Sequence, residues 1–162
     1  MDKDYLRHER HDRLIRELEH DPYHTKRKFK GPALCPDCGA LYLKGRWTWE
    51  TASAYAEEHR CPACQRIADQ VPAAFLTLRG AFLRDHQDEI INLINNYEAR
   101  ERKEHPLKRI MDREETADGI VFTFTDAHLA HGIGEAIHRA YEGDIDFQYS
   151  KEDTMLRLIW TR

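Results

Sequence analysis

DGIVFTFTDAHLAHGIGEAIHRAYEG, residues 118–143, holds both periodicities that a mixed α+β sheet requires. Ile120, Phe122 and Phe124 alternate with Val121 and Thr123, so one face of an extended strand is apolar. Asp118-Gly119 ahead of it is a hairpin-turn signal that pairs this strand with 107–114. The apolar period then lengthens. Leu129, Ile133, Ile137 and Tyr141 share one helical face, with Thr125 at the N-cap position and Gly143 as a left-handed stop.

The same rhythm precedes and follows it. AAFLTLR (73–79) reads as a strand, and 82–103 as an amphipathic helix with Phe82, His86, Ile90, Leu93, Ile94 and Tyr97 along its apolar side. His105-Pro106 ends that helix, because a residue before proline disfavours helical backbone. Strands over 144–149 and 154–161 close the pattern. Two strand–helix–strand passages predict an α+β, ferredoxin-like split β-α-β sandwich over 73–162, with an extra C-terminal strand and both helices on one sheet face.

Upstream, Cys35, Cys38, Cys61 and Cys64 are the only cysteines and form two C-x-x-C pairs. Each pair brings two sulfurs to one ion from a tight turn, and four thiolates complete a closed tetrahedral shell. Pro36 and Pro62 pre-set φ after each first cysteine, and Gly39 permits the positive φ of such a knuckle. Gln65 holds the equivalent place in the second knuckle, which should be less regular. A matched pair of pairs favours zinc over disulfides, a redox C-x-x-C or an iron–sulfur cluster. Residues 34–72 therefore read as a zinc ribbon holding one structural Zn2+. Alternation in ALYLKGRWTWE predicts a hairpin turning at Gly45, and ASAYAEEH a short helix. Trp47 and Trp49 fall on one strand face. One is expected to cover the metal, with Trp49 favoured, and Trp47 to join Lys44 and Arg46 in contacting nucleic acid.

Residues 1–33 form a basic arm. Tyr5, Leu14, Ile15 and Leu18 allow a short helix within 4–19, and the densest positive run is Lys26, Arg27, Lys28 and Lys30. Net charge is +2 over 1–34, −1 over 35–72 and −5 over 73–162, which makes −4 for the chain. A short basic arm on an acidic body suits contact with RNA in a large assembly better than sliding on DNA. No apolar run approaches a membrane span of about 20 residues, and MDKDYLRHERHD has no hydrophobic stretch, so a soluble cytoplasmic protein is expected.

Signs of catalysis are sparse. No cysteine is spare, and HLAHGIGEAIH lacks the glutamate spacing of a metalloprotease helix. His128, His131 and His138 read as ordinary helix residues, and GIGEA is too short for a dinucleotide loop. A non-enzymatic role is expected, either in contacting RNA or as a protein-interaction module with a purely structural zinc.

CPDCG, GRWTW, CPAC and the 118–143 passage together resemble a set of short bacterial zinc-ribbon proteins. They also resemble the archaeal and eukaryotic large-ribosomal-subunit nuclear export adaptors named after nonsense-mediated decay. The resemblance runs from Leu34 to Arg162, although those adaptors look richer in C-x-x-C pairs. It implies a ribosome-associated factor that binds ribosomal RNA and protein on the large subunit, acting in biogenesis, occupancy or stress-related silencing.

Overall fold

The computed structural model describes Tyr23 and residues 29–51, 55–150, 152 and 155–162. The expected helix within 4–19 and the cations Lys26, Arg27 and Lys28 lie outside these residues.

A small sheet comes first. Strands β1 (Ala33–Leu34), β2 (Leu41–Leu43), β3 (Arg46–Thr48) and β4 (Glu57–Glu58) lie in the order β3-β2-β1-β4. β2 and β3 form the hairpin expected from the alternation, with Tyr42 opposite Trp47. Lys44 and Gly45 both take positive φ, 51° and 87°, and two such residues make the turn that suits strand twist. Where ASAYAEEH predicts a helix, Glu57 and Glu58 instead pair in parallel with β1. Helix α1 (Pro62–Asp69) grows directly out of the second knuckle. Cys61 caps it and Pro62 opens it, a position where proline's missing N–H costs nothing.

The larger sheet contains β5 (Ala74–Arg79), β6 (Ile110–Glu115), β7 (Gly119–Phe124), β8 (Asp144–Ser150) and β9 (Met155–Thr161), ordered β6-β7-β5-β9-β8. Helices α2 (Ala81–Glu104) and α3 (Ala127–Tyr141) link β5 to β6 and β7 to β8. Each crossover skips at least one strand. The additional C-terminal strand enters the middle of the sheet, where β9 runs parallel to β5 and antiparallel to β8. Composition accounts for the placement. β9 buries Leu156, Leu158 and Trp160, whereas β8 exposes Asp144, Asp146 and Gln148, and β6 exposes residues 112–115. Charged strands at the two edges discourage pairing with other chains.

Leu76 and Leu78 of β5, Phe122 and Phe124 of β7, and Ile90, Ile94, Ile133 and Ile137 of the helices fill one core on one side of this sheet. Gly132 and Gly134 belong to that packing. A Cβ on Gly132 would collide with the Tyr97 hydroxyl of α2, and one on Gly134 would lie 2.9 Å from Leu158 Cδ2. Thr125 is not the cap of α3. Asp126 caps it, accepting from Leu129 N at 2.8 Å. No helix among the described residues is long and apolar enough to cross a membrane.

Candidate metal centre

The first knuckle is closed by Cys35 N donating to Ala40 O at 2.8 Å and Gly39 N to Cys35 O at 2.9 Å. Gly39 takes φ +80°, as its place in the turn requires. Amide hydrogens then turn toward sulfur. Ala40 N donates to Cys38 Sγ (3.5 Å), Cys61 N to Cys35 Sγ (3.2 Å) and Cys64 N to Cys61 Sγ (3.4 Å). The second knuckle owes its shape to α1, with Gln65 N bonded to Cys61 O at 3.0 Å as part of the helical first turn.

The four sulfurs lie within 4.8 Å of one another, and Cys38 Sγ and Cys61 Sγ are 3.8 Å apart. Four sulfurs at zinc's bond length of about 2.3 Å stand about 3.8 Å apart, so the cluster has the dimensions of a metal–thiolate shell. Cys35, Cys61 and Cys64 are buried, and Cys38 is half-buried. Among the described residues this is the one group of three or more histidine, cysteine or carboxylate side chains placed to hold a metal ion. His128 is exposed, while His131 packs its ring against Phe147 at 5.2 Å.

A cation from the larger sheet's side of the molecule closes the cluster. Arg109, 5% exposed, donates from Nη1 to Cys64 Sγ (3.2 Å) and from Nη2 to Cys38 Sγ (3.0 Å) and Cys61 Sγ (3.5 Å). Its Nε donates to Pro106 O at 2.8 Å. Its backbone is clamped by Thr125. Arg109 N donates to Thr125 Oγ1 (2.9 Å), that hydroxyl donates to Leu107 O (2.6 Å), and Thr125 N donates to Arg109 O (3.0 Å). Thus Thr125, expected to cap a helix, instead ties the Arg109 segment to the end of β7.

The electrostatics follow from burial and these bonds. Burial pushes the Cys61 thiol far up, and the neighbouring sulfurs add to the effect against the bond from Cys64 N. Burial also raises Cys64, opposed by the bond and charge of Arg109. Burial acts on Cys35 in the same direction, but amides of Cys61, Cys38 and Asp37 outweigh it and bring the thiol down to about 7. Burial works against the Arg109 charge too, yet its bonds to Cys64 and Cys38 hold it above the ordinary guanidinium range.

The two tryptophans divide differently from the expectation. Trp47 is half-buried, meets Tyr42 edge-on at 5.4 Å and packs against the cysteines, so it is the aromatic cover. Trp49 lies beyond the end of β3, 39% exposed, and donates from Nε1 to Arg102 O at 2.6 Å. That carbonyl is in the last turn of α2, where no helical N–H is left to bond it. Lys44 and Arg46 project from the hairpin tip and are exposed, as is Lys30. Phe29, beside Lys30, sits 4.9 Å from the Tyr42 ring and 4.7 Å from His59.

Sequence reading singles out the four cysteines but misses Arg109. Nothing in HPLKRI separates it from the other cations, and only its bonds to three of the four sulfurs mark it. No family model, curated protein or solved structure matches the chain.

Proposed function

We propose that the four cysteines hold one structural zinc ion, and that the ribbon so fixed presents Lys44 and Arg46 to RNA on the large ribosomal subunit. The observation that carries this is a closed four-sulfur shell bearing, at its hairpin tip, two exposed cations on a turn with positive φ at both central residues. Four protein donors leave no position for substrate or an activated water, so the metal acts as a scaffold. Lys26, Arg27, Lys28 and Lys30 extend the positive surface by sequence. The resemblance of CPDCG, GRWTW, CPAC and 118–143 to the export adaptors and their short bacterial relatives supplies the ribosome as partner.

A second reading, docking to a protein, is favoured by the sheet face opposite α2 and α3, where Phe75, Val121 and Ile159 are only half-buried. Co-sedimentation of the tagged full chain with purified ribosomal subunits separates the two. RNA contact expects pelleting with the large subunit that weakens, with a flatter salt dependence, in Lys44→Ala/Arg46→Ala. Pelleting that the double variant leaves unchanged, or none at all, refutes the RNA reading. Elemental analysis should give about one zinc per chain. Iron or no metal refutes the zinc centre.

A further inference from the structure

We propose that Arg109 makes the metal centre the joint between the cysteine module and the α+β domain, so that the two stay docked only while the metal is bound. This rests on the zinc reading above. Four thiolates on a divalent ion carry two net negative charges, and a buried guanidinium lies against three of the four sulfurs. Its planar fork lets Nη1 and Nη2 reach different sulfurs while Nε holds Pro106 O, a division that a lysine ammonium cannot reproduce. The cation is aimed from its own domain, because Thr125 fixes both Arg109 N and Arg109 O to the end of β7. Arg109 is therefore a positioning residue for the centre, and among the described residues the centre is in turn its only concentrated negative partner on the cysteine module.

The rest of the seam is slight. Leu107 packs beside the cysteines, and Trp49 reaches the last turn of α2 through one hydrogen bond. The Trp49 ring also lies 6.0 Å from the Arg109 guanidinium, at the outer limit of a cation–π contact, but it offers that cation no full negative charge. When the ion leaves, the sulfurs are no longer gathered at one point, and a guanidinium that is 5% exposed loses its three sulfur partners and keeps only the bond from Nε to Pro106 O. Opening the seam to water then becomes the favourable course. The larger core does not depend on the ion, since it closes around Leu76, Phe122, Ile133 and Trp160 without any cysteine.

The test uses the full chain loaded with zinc, and in parallel with cobalt, in wild-type, Arg109→Gln and Arg109→Lys forms. Arg109→Gln should still bind one metal but lose zinc to a competing chromophoric chelator about tenfold faster or more, the usual scale for groups behind metal ligands. Its cobalt form should show the thiolate-to-metal charge-transfer band at lower energy, because N–H bonds that stabilise the sulfur lone pairs are gone. Hydrogen exchange should quicken at the Arg109 and Thr125 amides, and stripping the wild type with EDTA should produce the same change while β5, β7 and β9 stay protected. Arg109→Lys, with the charge but not the fork, should fall between the two and decides the matter if the glutamine variant does not fold. Wild-type zinc loss and band position in the substituted proteins would overturn the inference, as would full protection at Arg109 and Thr125 after stripping. A chain that binds no metal would instead overturn the zinc reading beneath it.

Discussion

Replacing Thr125 with valine keeps the shape of the side chain and removes only its hydroxyl. In the folded protein that hydroxyl accepts from Arg109 N at 2.9 Å and donates to Leu107 O at 2.6 Å. Arg109 N is buried, so losing its partner should cost about 1–3 kcal/mol. Leu107 is half-buried, and its carbonyl can recover part of its bonding from water, which adds less. The expected loss is about 2–3 kcal/mol, and about 2–4 °C of Tm accompanies each kcal/mol for a chain of this length. Urea unfolding of the zinc-loaded protein measures the loss, and the midpoint should fall with an unchanged slope. Thr125→Ser retains both bonds and should stay within about 1 kcal/mol of wild type. Asp126→Ala removes the true cap of α3 and should cost about 0.5–2 kcal/mol without quickening zinc loss. A valine variant within about 0.5 kcal/mol of wild type, or a serine variant as damaged as the valine one, would refute the clamp.

The tryptophans should separate in the same assay. Trp47→Ala uncovers the cysteines and should cost about 2–3 kcal/mol with faster zinc loss, less than the loss of a wholly enclosed ring. Trp49→Ala gives up a partly exposed ring and one bond to Arg102 O, about 1 kcal/mol, and equal losses for the two would show that Trp47 is not the cover. Proton release gives an independent check on the centre. Burial in the gathered cluster holds Cys61 and Cys64 above the ordinary thiol value, and a thiol released from it, at about 8.5, is also mostly protonated at pH 7.5, so zinc must displace both protons in either case. Affinity should therefore rise with pH, and calorimetry in two buffers of different ionisation enthalpy should show about two or more protons released per zinc. Release of none would contradict the raised thiols.

What the residue order determined by itself is local or periodic. The C-x-x-C pairs announce a four-sulfur shell because two thiolates three residues apart reach one ion from a single turn. Lys44-Gly45 announces a hairpin because glycine tolerates the left-handed backbone that the turn demands. Alternation in GIVFTF and the wider spacing through Leu129, Ile133 and Ile137 distinguish strand from helix before any partner is known. Tertiary structure decided the pairings between distant segments. Although 154–161 reads as the last strand, its place between β5 and β8 depends on which strand can afford charged residues at an edge, a comparison across the whole sheet. Trp47 and Trp49 share a strand face in the sequence, but one meets Tyr42 while the other passes the end of β3 and finds a free helix carbonyl. Glu57 and Glu58 join a strand because β1 offers an open edge, whatever their own preference for helix. Arg109 is the sharpest case, lying 45 residues from Cys64 and 71 from Cys38 along the chain. A guanidinium finds buried sulfurs at that separation only after both sheets have formed, since neither spacing nor periodicity encodes a contact that a turn at Pro106 and a hydroxyl at Thr125 put in place.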